Sequence, residues 1–198
     1  MPPHRRLSRA FVPALLLGLA LAIPAGAQTG GKAPAGIRID NFGRVDATYY
    51  RGAQPEGRDY ADLAALGVKS VINLTSDDAK ANEKAMVEGS GMKYFQIPMT
   101  THQPPTAAQL TEFLRIVNDP GSQPVYVHCV GGRHRTGVMT AIHRMNDDRW
   151  TADRALAEMK QYKFGADFLH QEFREFVYKY HPDLASPLQA ALVARSGT

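Results

Sequence analysis

His128-Cys129-Val130-Gly131-Gly132-Arg133-His134-Arg135-Thr136-Gly137 holds the chain's only cysteine. The residues just before it, Val125-Tyr126-Val127, alternate and are β-branched enough to form a buried strand. After Arg135 the period changes. Val138, Ile142 and Met145 recur at i, i+4 and i+7, the spacing of an amphipathic helix. A strand, a tight glycine-bearing loop and a helix N-terminus leave several backbone N–H groups aimed into one concavity, where an anion sits. Helix N-termini and nearby cations favour thiolate over thiol, so a cysteine in this place is a nucleophile.

The spacing assigns the other residues. Five residues lie between Cys129 and Arg135, enough to wrap the chain once around a tetrahedral dianion. Cys129 then sits beneath the phosphorus, and Arg135 closes its planar fork over two phosphate oxygens. Val130, Gly131, Gly132, Arg133 and His134 form the wall against which substrate binds. The two glycines permit dihedrals and close approaches that side chains would block. Arg133 adds charge that contacts substrate or pairs with a surface acid, and His134 lines the outer wall. Thr136 is placed to donate its hydroxyl to the sulfur when sulfur leaves, and His128 supports the loop through its ring N–H groups. A buried inert cysteine is the competing use of such a residue. It leaves the Gly-Gly, the arginine and the Thr-Gly unexplained.

Working outward, strands alternate with helices. Tyr49-Tyr50 is a short strand, and residues 58–66 a helix stopped by Gly67. Strand 68–74 is followed by a helix over 78–88 that ends at Gly89 and Gly91, and strand 92–97 is stopped by Pro98. Thr106 caps a helix that carries Leu110, Leu114 and Val117 on one face. After strand 125–128 and the loop helix come two more helices. One is started by Thr151 and bears Leu156 and Met159; the other bears Leu169, Phe173, Phe176, Val177 and Tyr180. The aromatic stripes at helical spacing are core, and Trp150 packs between helices. This order predicts a single-domain α/β fold with a largely parallel central sheet flanked by helices, the nucleophile standing at the C-terminal end of a strand.

The first residues are read separately. Arg5, Arg6 and Arg9 precede an apolar run from Phe11 to Ile23, and Ala25-Gly26-Ala27 is a small-x-small cleavage site. Residues 1–27 therefore read as a signal peptide, 28–36 as a flexible leader, 37–181 as the folded domain and 182–198 as a tail. The apolar run is too short to span a bilayer, so no stable membrane anchor is expected, and the chain is expected to be exported to the periplasm or beyond. Three of the 23 Lys and Arg lie in the expected signal peptide, whose removal leaves 20 against 19 Asp and Glu. The sequence pI near 9.2 thus owes much to residues 1–27, and a nucleic-acid partner loses its compositional support. A single thiol excludes an internal disulfide.

His-Cys-x5-Arg-Thr-Gly resembles the signature of the cysteine-dependent phosphatases of the protein tyrosine and dual-specificity superfamily. Asn41-Phe42-Gly43-Arg44-Val45, with Tyr49-Tyr50-Arg51-Gly52-Ala53-Gln54-Pro55, looks like the opening segment of atypical dual-specificity phosphatases. Gly132-Arg133-His134-Arg135-Thr136-Gly137 resembles the Gly-Lys-His-Arg-Thr-Gly of the plant and fungal atypical branch, some members of which cleave inositol pyrophosphates. The resemblance implies hydrolysis of phosphate esters through a phosphocysteine intermediate. It also implies an aspartate on a loop after a strand ending in proline. The comparable stretch, Ile97-Pro98-Met99-Thr100-Thr101-His102-Gln103-Pro104-Pro105, has no carboxylate, and Thr101 stands where the aspartate is expected.

Three options remain for the proton. An imidazole can act as a general acid near neutral pH, which makes His102 one candidate, or it is a solvated loop histidine that contacts substrate. Asp77 and Asp78 follow a strand whose C-terminal loop lines the site, although Asp78 equally suits a helix cap. The third option is a substrate, such as a phosphoanhydride, whose leaving group needs no acid. No cofactor is implied: there is no dinucleotide fingerprint and no nucleotide-binding Gly-Lys-Ser/Thr loop. No His/Cys/Asp spacing suggests a metal site. The partner is a phosphorylated substrate, either a phosphoprotein or an inositol phosphate. The alternatives are a phosphate-binding module without turnover, and sulfurtransferase or arsenate-reductase thiol chemistry. Arsenate reduction needs further cysteines, and none exists.

Overall fold

The computed structural model describes residues 36–76, 78–166 and 169–182. The expected signal peptide, nearly all of the leader, Asp77 and the tail from 183 onward lie outside the described residues. The elements run β1 (Gly43–Arg44), β2 (Tyr49–Gly52), α1 (Asp59–Ala65), β3 (Ser70–Asn73), α2 (Glu83–Gly89), β4 (Lys93–Gln96), α3 (Ala107–Val117), β5 (Val125–His128), α4 (His134–Asp147), α5 (Ala152–Gln161) and α6 (Gln171–Lys179). The sheet order is β1-β2-β5-β3-β4. Strands β2, β5, β3 and β4 are parallel, and β1 adds an antiparallel edge. The expected α/β architecture is the one observed.

The register explains where a site forms. His128, the last residue of β5, pairs with Gly52 of β2 and Asn73 of β3. Three parallel strands thus end level, and the next residues of each, Ala53, Cys129 and Leu74, begin the loops above one sheet edge. Ligands bind at that carboxyl edge in open α/β sheets. Alternation along β5 sends Val125 and Val127 into a core with Phe113, Ile116 and Met139, and sends Tyr126 to the opposite face with Tyr60, Leu63 and Val87. Each such large side chain contributes about 1.5–3 kcal/mol on burial. Helix α4 is buried on both sides. Its outer face, Val138, Ala141, Ile142 and Met145, packs on Leu156, Met159, Phe173, Val177 and Tyr180 from α5 and α6.

Capping follows the sequence at two helices. Thr106 accepts from Gln109 N in a full capping box before α3, and Thr151 accepts from Arg154 N before α5. Trp150 lies under two guanidinium groups, Arg144 at 4.3 Å and Arg154 at 3.9 Å from its ring centroid.

Two expectations are corrected. The helix expected from Asp78 begins only at Glu83, because the Asp78 carboxylate pairs with Arg135 and caps nothing. Leu169 is not on the last helix; it is 46% exposed, and α6 starts after His170, whose φ of 55° breaks the helical path. Strand β1 was not anticipated, since two residues carry no period.

Candidate active site

The loop that links β5 to α4 is shaped by its neighbours. Gly132 has φ +62°, and a Cβ there would lie 2.3 Å from the carbonyl carbon of Gly52 and 2.7 Å from Ala53 N. Only glycine fits. The Gly132 carbonyl accepts from Asn41 Nδ2 at 2.7 Å and from Arg51 Nη2 at 2.8 Å. Gln54 N donates to the Val130 carbonyl at 3.0 Å. The segment from Asn41 to Gln54 therefore pins two of the loop's carbonyls, those of Val130 and Gly132. Arg51 is fully buried, with its guanidinium 4.0 Å from the Tyr162 ring centroid and Nε and Nη1 without hydrogen-bond partners. Burial works against its charge, and the Tyr49, Tyr162 and Cys129 side chains lie on the favourable side.

Cys129 is 3% exposed at the base of the loop. Arg135, on the first turn of α4, is equally buried and makes a bidentate pair with Asp78, Nη1 to Oδ1 at 2.9 Å and Nη2 to Oδ2 at 2.6 Å. Its Nη1 also donates to the Met99 carbonyl at 3.1 Å. Burial opposes the Arg135 charge, but the Asp78 carboxylate and the Cys129 sulfur outweigh it and push its pKa up. In return, the Arg135 hydrogen bonds hold Asp78 below the usual carboxylate range. A planar oxyanion is thus seated on the fork that the sequence assigns to phosphate.

The other predicted residues divide. Val130 and Arg133 are exposed on the loop's outer wall. His134 turns its Nε2 to the Phe164 carbonyl at 3.0 Å, and burial together with nearby His170 lowers its pKa to about 4, so it stands neutral. Thr136 is buried with no hydrogen-bond partner for Oγ1; the expected bond to the sulfur is not made. His102 does not enter the loop. It is exposed and stacks on His170, which in turn packs on His134 at a centroid distance of 3.8 Å. Asp77 lies outside the described residues.

Behind the loop is a buried network that the sequence did not reveal. Nε2 of His128 stands 2.9 Å from Glu83 Oε1, both side chains fully buried, although the contact lacks hydrogen-bond alignment. Glu83 accepts from Gln54 Nε2 at 2.7 Å and from Asn73 Nδ2. Asn73 Oδ1 in turn accepts from Thr75 N at 2.7 Å and from its hydroxyl at 2.6 Å. A carboxylate with this many donors tolerates burial. Asn41, Arg51 and Gln54 lie in the opening segment noted above, which was their only signal; Glu83 and Asn73 had none.

Comparisons with known proteins bear on the family and the fold. A family model described as "DSP-PTPase phosphatase fused to NAD+ Kinase" matches residues 39–175. The chain is 30% identical over 165 residues to the dual specificity protein phosphatase TpbA of Pseudomonas aeruginosa, covering 81% of this chain and 73% of that protein. It is 28% identical over 145 residues to the inositol diphosphatase SIW14 of Saccharomyces cerevisiae, covering 70% of this chain and 51% of that protein. A crystal structure of TpbA in complex with phosphotyrosine superimposes with a TM-score of 0.63 at 26% identity, over 76% of this chain and 90% of that one. The family model spans residues 39–175, well over half of the chain, and the chain belongs to the DSP-PTPase phosphatase family.

Proposed function

We propose that the chain hydrolyses phosphate monoesters of the protein tyrosine and dual-specificity type through a phosphocysteine intermediate on Cys129. The observation that carries this is the bidentate seating of the Asp78 carboxylate on Arg135, whose guanidinium also interacts with the Cys129 sulfur. A phosphoryl group takes the same fork with two of its oxygens. The Cys129 sulfur then forms a bond to phosphorus as the ester P–O bond breaks, with the loop N–H groups and Arg135 holding the charge on the equatorial oxygens. Water attacks the phosphocysteine in the second step, and sulfur leaves.

Asp78 is the proton donor in this proposal. While paired with Arg135 it is ionised and cannot donate. Phosphate takes Arg135 from it and places negative charge beside it, and both changes raise its pKa. Substrate binding thereby arms the acid: with its pKa raised, Asp78 takes up a proton from solvent, gives it to the leaving oxygen and then takes one from the attacking water. Asp77, outside the described residues, is the alternative donor on the same loop.

One observation favours a second reading. Residues 97–105 carry no carboxylate, and a phosphoanhydride leaves with little protonation. An inositol pyrophosphate is therefore the alternative substrate, in line with the inositol diphosphatase among the matched relatives. We further propose that residues 1–27 direct export, on the basic, apolar and small-residue order of that segment. The experiment is a phosphate-release panel on protein beginning at Gln28, with phosphotyrosine peptide, phosphoserine peptide, inositol hexakisphosphate and an inositol pyrophosphate. Preference for the phosphotyrosine peptide supports the first reading. Release from the pyrophosphate alone replaces it with the second.

A further inference from the structure

We infer that His102, His170 and Glu172 form a binding site for a divalent transition-metal ion of the zinc type, at the rim of the phosphate loop. One ring nitrogen from each histidine and one Glu172 carboxylate oxygen lie within 4.8 Å of one another. Two imidazoles and a carboxylate are a donor set that suits zinc and its neighbours, and excludes magnesium or calcium as the preferred ion. Atoms bound to one zinc at about 2.0–2.2 Å stand roughly 3.3–3.5 Å apart in tetrahedral geometry. Closing the site therefore takes a shift of no more than about 1.5 Å, and His102, on an exposed loop, is free to supply it.

Two details of the donors point to a ligand. His170 Nδ1 donates to the Thr101 carbonyl at 3.1 Å, since a carbonyl only accepts. Ligating histidines fix one ring nitrogen on a carbonyl in this way and bind an ion through the other. Glu172 Oε1 is buried without a hydrogen-bond partner. His170 Nδ1 is 3.4 Å from it, but its single proton is committed to Thr101. The Glu172 side chain is 31% exposed, but this oxygen is closed to solvent, and a cation would satisfy it. The residues also come from two places in the chain, the stretch 97–105 and the start of α6. A shared ion would clasp that stretch, whose Met99 carbonyl holds Arg135, to the start of α6. This site is independent of the reading proposed for the chemistry at Cys129.

The test is isothermal titration of zinc chloride into the Cys129→Ser protein, in which the one thiol able to compete for zinc is gone. One ion per chain at micromolar affinity or tighter is expected, accompanied by a rise in melting temperature. His102→Ala, His170→Ala and Glu172→Gln should each weaken binding by about tenfold or more. His102 is exposed, so its replacement keeps the fold and is the deciding variant. The inference is overturned if the parent protein takes up no zinc, or if His102→Ala binds it as tightly as the parent does.

Discussion

Replacing Asp78 by asparagine separates two effects that the Arg135 pair couples. In the structure the carboxylate occupies both terminal nitrogens of Arg135 at 2.9 and 2.6 Å. A phosphate must displace it before it can be clamped. Exposed ion pairs contribute about 0.2–1 kcal/mol, and hydrogen bonds to charged groups about 1.5–3 kcal/mol. Arg135 is buried while the Asp78 side chain is 35% exposed, which places this pair between the two, at about 1–2 kcal/mol. Loss of the competing charge should then tighten phosphate binding by about 5- to 30-fold. Turnover should move the opposite way. Without a proton donor, hydrolysis of an alkyl or unactivated aryl phosphate should fall by about 10²–10⁴, whereas an activated aryl phosphate, whose phenolate leaves unaided, should change little. The assay is the inhibition constant of inorganic phosphate, measured beside kcat on a series of aryl phosphates of rising leaving-group pKa. An inhibition constant that stays the same or rises in Asp78→Asn refutes the idea that Asp78 guards the fork. A flat leaving-group series in both proteins removes Asp78 as the acid and advances the phosphoanhydride reading.

Cys129→Ser should abolish phosphate release with the melting temperature unchanged, and a tenth of the activity remaining would rule out the phosphocysteine. Arg135→Lys keeps the charge but loses the fork, so kcat/KM should drop on the order of a hundredfold or more; near-normal turnover would mean that Arg135 does not clamp the transferring group. Gly132→Ala puts a Cβ 2.3 Å from the Gly52 backbone, and displacement of the loop by about 1 Å costs on the order of a hundredfold in rate; a fully active variant with an unchanged melting temperature contradicts the geometry. His143 lies 2.7 Å from Asp46 and 2.6 Å from Asp147; burial opposes its charge, but the two carboxylates win and raise its pKa to about 9. Because that lies above the unfolded value of about 6.5, the pair stabilises fully below that value, and the contribution, about 2–3 kcal/mol, disappears as pH rises through 9. Unfolding free energies from urea titrations at about pH 6 and about pH 10 should fall in the parent by that amount more than in His143→Gln; parallel changes would disprove the link.

The fold was legible where period and punctuation agree. Thr106 and Thr151 cap helices as their sequence contexts demand, and the run from Val125 to His128 is the central strand. Errors fell where tertiary contacts overrule local preference. Asp78 followed by a stretch rich in helix formers has every local reason to begin a helix, yet a long-range arginine takes its carboxylate and holds five residues out of it. His170 shows the same in reverse: its left-handed backbone, with its ring bonded to the Thr101 carbonyl, ends a periodic pattern that would otherwise run back to Leu169.

The site was legible in its reacting groups and not in what holds them, and the reason is physical. Cys129, Arg135 and the glycines between them must occur at fixed spacing on one short segment, because one turn of chain wraps one phosphate. Their supports have no such constraint. The Gly132 carbonyl needs donors, and any side chain that reaches it will serve, so Asn41 and Arg51 come from a strand edge some eighty to ninety residues away. The buried Glu83 likewise gathers Gln54, Asn73 and His128 from three separate strands and their loops. Only the parallel register that ends β2, β3 and β5 together brings these residues under the same loop, and that register is a property of the sheet, carried by no single stretch of sequence.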